Sequence, residues 1–463
     1  MTTRRTAVKF IAGAGVGALF TPAPWRLIRD TALWSENWPG IPRPKRGPIS
    51  AKTTVCTLCP AGCAVRARCV GDQPVAMAGV NGGLCPLGVI GHHLPYYPRR
   101  VKQGAPEEAR AAVAKADPSK RVAVLDLRPG RTASALYRKA MQEQNGLYLA
   151  PQQAGASVNL AAAKSVLSVG APLFEGWLSP SEVFAVRDRF RLVQIEPEYS
   201  RTAAMADVWL PEGDVAAMAR KLEAPVLVVD RTMSPATVAL NKELGAWGQT
   251  VQAAPEFGAD DLSGVADASI GLLYIDESNA GEYIPWPDIE RKLAPGAVTI
   301  AFAWSPDGYA RHARFVLPAA VFPEALDDVD GRVTTPLVKP PAGVVDPVEF
   351  IARASLADVL KEVKPKEDSG WRLPYLAALD ATASALSTKV YQESNLLLGP
   401  RHVAVAPGAG LAENEAAVLE TSRGRLPVRV VIDASLPAGK VRYMSTPEVL
   451  DLCGSEEPKV VRV

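Results

Sequence analysis

The residues most able to do chemistry are four cysteines near the start of the chain. Cys56, Cys59 and Cys63 are separated by two and three residues in VCTLCPAGC, and Cys85 follows after 21 more. Three thiolates on one tight loop and a fourth from a distance suit a cuboidal iron–sulfur cluster, each sulfur binding its own iron. Pro60, Gly62, Gly82 and Gly83 let the backbone pass close to sulfur atoms, where larger side chains would collide. Structural zinc is the first rival, but its cysteines usually come as two short pairs, whereas the spacing here is three plus one. Two disulfides are the other rival. Cys69, six residues past Cys63, and Cys453 read as structural or spare thiols.

Nothing else in the sequence assembles a second reactive set. His92 and His93 follow the cysteine stretch and are expected to cap or line it, while His312 and His402 stand alone beside arginines and are expected to face solvent. Asp327, Asp328 and Asp330 precede Gly331 as an acidic turn, read as a solvated loop in preference to a calcium site. The chain has 51 basic and 49 acidic residues among 463, a balance that gives no electrostatic footprint for nucleic acid. Six cysteines in so long a chain do not make a disulfide framework.

The cysteine pattern resembles the opening domain of the molybdopterin oxidoreductase family. The likeness rests on Cys-x₂-Cys-x₃-Cys, on the final Cys85 in GLCPLG, and on LPYYPRRV directly after it. It extends along the chain through SVLSVGAPLFEGW, EPEYSRTAAMADVWLPEGD and RHARFVLPAAVFPEALDDVDGRV, and ends in a strand running into Ser422-Arg423-Gly424. The resemblance implies one [4Fe–4S] cluster on Cys56, Cys59, Cys63 and Cys85, two Rossmann-like central lobes and a C-terminal β-barrel. It also implies a molybdenum cofactor, and here the sequence departs from the family. Leu87 stands where the family carries the Lys or Arg that bridges cluster and pterin. The turn Pro211-Glu212-Gly213-Asp214 puts a carboxylate where the family has Pro-Gly-Thr-Asp, and a glutamate there would repel a pyrophosphate. No Gly-x-Gly-x-x-Gly follows a strand, no cysteine lies between Cys85 and Cys453, and the family's active members are longer. A molybdenum site is therefore not expected.

The elements that must position these residues are legible from pattern. Residues 1–24 carry Arg4-Arg5 ahead of a mild apolar stretch and read as a twin-arginine export signal or retained anchor. That route carries folded proteins, which agrees with a cluster inserted before export. Residues 25–52 form a Trp/Pro-rich arm, extended because its prolines forbid a long helix. Residues 53–110 hold the cysteines. Over 111–370, apolar strands at Val122–Leu127, Ser165–Val169, Arg191–Ile195, Pro225–Asp230, Ile270–Asp276 and Val298–Ala303 alternate with helices, as in a parallel α/β sheet covered on both faces. Ala203-x-x-Ala206-x-x-x-Leu210-Pro211 recurs as Ala310-x-x-Ala313-x-x-x-Leu317-Pro318, one copy per lobe. Over 371–463 a connector helix at Leu373–Ser387 gives way to two-residue periodicity, with a hairpin at Ala416–Asp433.

The expected fold is thus α/β: a small N-terminal [4Fe–4S] domain, reduced Rossmann-like lobes and a C-terminal β-barrel domain. Within the family the chain resembles the molybdenum-free large subunits of membrane-attached respiratory complexes, the quinone reductase of sulfate reducers and alternative complex III. That likeness implies three partners: a ferredoxin-like iron–sulfur subunit, an integral membrane quinone-binding subunit and a multihaem cytochrome c. It places the chain at the periplasmic side of the inner membrane, passing electrons without catalysing a reaction alone. An active polysulfide- or thiosulfate-type molybdenum enzyme and a pure scaffold with an idle cluster are the alternatives.

Overall fold

A computed structural model of the chain describes Gly17, residues 47–375 and residues 402–463, apart from 81, 98, 152, 198, 279–283, 366–368 and scattered positions between 435 and 457. The export signal, most of the arm and most of the Leu373–Ser387 helix lie outside the described residues. No described helix is long and apolar enough to cross a membrane.

The cysteines sit on a three-stranded antiparallel meander of β1 (Ile49–Val55), β2 (Ala64–Val70) and β3 (Gln73–Gly79). Its inner face carries Val65, Ala67, Cys69 and Met77, all buried, while Arg66 and Arg68 alternate outward. This period of two is what a sheet with one wet face requires. The turn between β1 and β2 is the cysteine loop, and Cys85 arrives after β3.

Two parallel sheets follow, and they interleave. The central sheet runs β14 (Phe315–Pro318), β13 (Leu293–Ala303), β12 (Ile270–Glu277), β4 (Arg121–Asp126), β5 (Leu147–Leu149). The second sheet, β10 (Val226–Asp230), β7 (Ser165–Val169), β8 (Arg191–Ile195), β9 (Val208–Leu210), is inserted between β5 and β12. A two-stranded antiparallel ribbon of β6 (Ala156–Val158) and β11 (Val251–Ala253) marks where the chain enters and leaves the insertion. Along β12, Leu272 and Tyr274 feed one core and Ile270, Leu273 and Ile275 the opposite one, so both faces are covered. Both copies of the Ala-x-x-Ala repeat lie on a short helical turn leading into an edge strand, β9 in one sheet and β14 in the other.

Helix limits follow local chemistry. Ser234 accepts from the Thr237 amide at 3.3 Å and Pro235 occupies the first turn, which fixes the start of the helix Pro235–Glu243. Residues 347–360 form two helices, Pro347–Ala352 and Leu356–Leu360, separated by Arg353 in the left-handed region. The acidic stretch before Gly331 is not a solvated loop. Asp330 and Gly331, both at positive φ, make the two-residue turn of a hairpin between β15 (Asp328–Val329) and β16 (Arg332–Val333), and Asp327 and Asp328 are buried. Neither isolated histidine is fully solvent-facing: His312 stacks on Trp286, and His402 is half-buried in a strand.

The C-terminal strands β17 (His402–Val405), β18 (Ala416–Thr421), β19 (Gly424–Ile432), β20 (Val441–Tyr443) and β21 (Lys459–Arg462) form a mixed sheet of order β20-β17-β19-β18-β21. Among the described residues this order is open, with no pairing that closes it into a barrel. The helix Pro447–Cys453 latches the sheet to the central lobe. Its Asp451 accepts from the Trp286 amide at 2.7 Å and pairs with Arg311.

Candidate metal centre

The loop that carries Cys56, Cys59 and Cys63 is closed by a backbone bond from the Cys56 amide to the Cys63 carbonyl at 2.8 Å. Gly62 takes a φ of 58°, and a Cβ there would lie 2.5 Å from Val329, so only glycine fits between the loop and the β15–β16 hairpin. Cys85 caps the helix Pro86–Ile90 and closes the group from the far side. The structure brings all four expected ligands together. They are buried, at 3–4% exposure, and unpaired by disulfides.

Three of the four sulfurs face a backbone amide. The Leu58 amide favours the thiolate of Cys56 and the Ala61 amide that of Cys59. The Gly88 amide lies 3.4 Å from the Cys85 sulfur. Donors aimed at sulfur favour thiolate over thiol. Against them, burial and then the Cys63 and Cys85 thiolates push Cys56 and Cys59 well above the usual thiol range. Burial and Cys85 push Cys63 up to about 12. Four mutually repelling sulfurs in an apolar site need cations to become stable as thiolates. Among the described residues no three His, Cys, Asp or Glu side chains have the arrangement that holds a single metal ion. A cuboidal cluster holds its four sulfurs further apart than one ion does, since each binds a different iron.

Leu87 is completely buried in the same core as Cys56, Cys63 and Cys85. His92 and His93 pack edge to face at 4.0 Å between ring centres, both buried, and burial lowers them to about 4 and about 3. They line the domain's core as neutral rings. Cys69 and Cys453 are buried as well, in keeping with structural thiols.

Behind the cysteine loop lies a charge network that the sequence reading missed. In the central sheet the chain leaves β4 toward β5 on one side and returns as β12 on the other, the place where open α/β sheets take ligands. Asp126 ends β4 in register with Asp276, one residue before the end of β12, and Arg131 pairs with both. Arg131 also reaches Asp327 at 3.2 Å, and Asp327 pairs with Arg128. Arg128 in turn donates to the Thr57 carbonyl, inside the cysteine loop, at 2.5 Å. Tyr137 and Tyr148 donate to Asp276 and Asp126 at 2.8 and 2.9 Å. Burial, then the Asp276, Asp126 and neighbouring charges, hold both phenols above their usual range. The available signal was that Val-Leu-Asp and Tyr-Ile-Asp strand ends both place a carboxylate at the carboxyl edge.

The amino end of the helix Thr132–Glu143 points at this crevice, where a nucleotide's phosphates would sit in a related fold. Its first amide, Thr132, is instead capped by the Asp328 carboxylate at 2.8 Å. In the second sheet the matching position at the end of β10 is Asp230, which caps the following helix through Ser234 and Thr237. The loop containing Glu212 is exposed, so that carboxylate faces solvent.

Two cavities flank the network. One of about 340 Å³ lies between Pro60 and Ala61 of the cysteine loop and Ser179, Glu182, Arg332 and Arg372. Its wall is self-satisfied: Arg372 forks onto Glu182 at 2.7 and 3.2 Å. The other, about 760 Å³, has proline and aliphatic walls, and its polar lining carries more carboxylates (Asp276, Glu324, Asp327 and Asp346 among them) than cations.

Comparison with known proteins agrees with this architecture. No family model matches the chain. Over 106 residues, 22% of this chain, it is 39% identical to the menaquinone reductase molybdopterin-binding-like subunit of Nitratidesulfovibrio vulgaris. That stretch spans only 15% of the relative's length. The structure is similar to acetylene hydratase from Pelobacter acetylenicus, with a TM-score of 0.56 over 85% of this chain and 92% of that one, at 11% identity. The second likeness shows the fold alone. The chain therefore resembles the molybdopterin oxidoreductase family both in sequence and in its mixed α/β fold with parallel sheets.

Proposed function

We propose that this chain is an iron–sulfur electron-transfer and scaffold subunit of a membrane-attached respiratory complex, with one [4Fe–4S] cluster on Cys56, Cys59, Cys63 and Cys85. The observation that carries the reading is the buried quartet, free of disulfides, with three of its sulfurs facing backbone amides. When bound, such a cluster supplies a one-electron couple whose potential depends on burial and on hydrogen bonds to sulfur. The chain's own residues hold the thiolates, exclude water through Leu58, Leu87 and Trp304, and fix the loop against the central lobe.

The same geometry supports the absence of a molybdenum site. A pterin nucleotide needs free amides at a helix start or a glycine turn for its phosphates. Here Asp328 and Asp230 occupy the two equivalent positions, and Asp126 and Asp276 are locked onto Arg131. A phosphate entering either crevice would meet carboxylates in a poorly screened interior. Leu87, buried and apolar, offers no charge between cluster and crevice. The cavity beside the cysteine loop suits a small ligand at most.

The short match to a menaquinone reductase subunit supports the setting: a quinone-linked complex whose other members do the quinone chemistry. In this reading the neighbours are a ferredoxin-like iron–sulfur subunit, an integral membrane quinone-binding subunit and a multihaem cytochrome c. The complex lies on the periplasmic side of the inner membrane after twin-arginine export, and the five-stranded C-terminal sheet is the counterpart of the family's closing barrel. The test is to purify the complex from its native membrane, identify the subunits, add a menaquinol analogue and follow the cluster by electron paramagnetic resonance. Reduction within the turnover time supports the role; a chain isolated alone, with a cluster that quinol never reduces, contradicts it.

A further inference from the structure

Arg128 stands apart from the other charged groups of the buried network because it touches the cysteine loop itself. It is 3% exposed, and one terminal nitrogen donates to the Thr57 carbonyl, next to Cys56, at 2.5 Å. The other terminal nitrogen pairs with Asp327, and the Arg128 amide donates to Asp126 at 3.1 Å. Its Nε–H is buried and has no partner among the described residues. Leaving a buried guanidinium N–H without an acceptor is costly, so a structure that retains one is expected to offer it an acceptor. Thr57 directly follows Cys56, so the guanidinium is held against the backbone beside that ligand.

We propose that Arg128 is a positioning and tuning residue for the metal centre, its guanidinium charge and Nε–H serving the sulfur anions around Cys56. This rests on the cluster assignment above and adds to it. A positive charge that water cannot screen stabilises the form of the centre carrying one more electron, and a hydrogen bond to sulfur does the same. Arg128 therefore holds the potential higher than the thiolates and burial alone would set it. Asp327 keeps the charge fixed without cancelling it, because Asp327 is shared with Arg131 at 3.2 Å and accepts the Asp328 amide at 2.8 Å. The couple moves one electron, supplied in the test by dithionite, and requires no proton transfer.

The experiment compares Arg128→Lys and Arg128→Met with the wild type, in the protein as purified, by dithionite titration followed by electron paramagnetic resonance. Iron content and thermal midpoint are measured on the same samples. Methionine removes charge and donors while leaving Asp327 paired with Arg131. The expected midpoint potentials fall in the order wild type, Arg128→Lys, Arg128→Met, at equal iron content. A common midpoint in all three overturns the inference and leaves the cluster assignment intact; a wild type with no reducible cluster overturns the assignment itself. Should Arg128→Met fail to retain iron, Arg128→Lys decides alone: it keeps the charge and loses the Nε–H, and a midpoint equal to wild type refutes the proposal.

Discussion

Asp126 and Asp276 face each other in register at the carboxyl ends of β4 and β12, both shielded from water, with Arg131 bridging them. Two buried carboxylates side by side repel unless a cation is fixed between them. Burial raises the carboxyl of Asp276, but the Arg131 charge and the Ser278 and Tyr137 hydroxyls outweigh it and hold it below its ordinary range. The carboxyl edge of the central sheet thus holds a buried ionic junction behind the cysteine loop. Four predictions follow from this arrangement and from the thiolate quartet.

Replacing Cys59 with Ser removes one of the four proposed ligands from a site with no spare cysteine in the loop. The expected outcome is loss of iron below four atoms per chain, with bleaching of sulfide-to-iron absorption in the visible. Retention of the full iron and sulfide complement would refute the ligand assignment.

Asp328→Ala removes the cap of the helix Thr132–Glu143 and leaves the Thr132 amide without its carboxylate. The expected loss is about 1 kcal/mol of unfolding free energy, read by chemical denaturation, typical of a lost N-cap. A helix whose amino end normally held a phosphate would show no such dependence on this side chain.

Leu87→Lys places an ammonium in a fully buried apolar position. The cost of an uncompensated buried charge is about 3–5 kcal/mol, so this variant should melt earlier and lose cluster. Molybdenum in the purified variant would contradict the reading that more than one feature of that site is missing.

Burial depresses His93 to about 3 and His92 to about 4, below the ordinary 6.5. The unfolded chain then binds more protons than the folded one between pH 6.5 and those values. The contribution is fully present above pH 6.5 and is lost as pH falls through that window. At pH 5 the loss for His93 is about 2 kcal/mol. His93→Leu should flatten the fall of the thermal midpoint between pH 7 and pH 5, and an unchanged slope would show that His93 does not titrate in this way.

Much of this was readable before any coordinates. The cysteine spacing identified the loop, because ligand geometry constrains sequence locally. Strands such as Val226–Asp230 and Ile270–Glu277 were legible because they are buried on both faces and read as near-continuous apolar runs. The meander of β1 to β3 was not, since its residues alternate with charges and small side chains. The interleaving of the two sheets was also hidden: local pattern reports that a strand exists, and only long-range pairing says that β12 returns beside β4. Asp327 and Asp328 were misread for a related reason. An acidic run signals solvent unless distant cations are known, and here Arg128, Arg131 and the Thr132 amide, about 200 residues away in sequence, hold them inside.

The most direct test of the central claim is elemental and spectroscopic analysis of the protein purified without oxygen. The account predicts four irons and four acid-labile sulfides per chain, a dithionite-reducible paramagnetic signal, and neither molybdenum, tungsten nor pterin. Zinc without sulfide, or a bound pterin nucleotide, would contradict it.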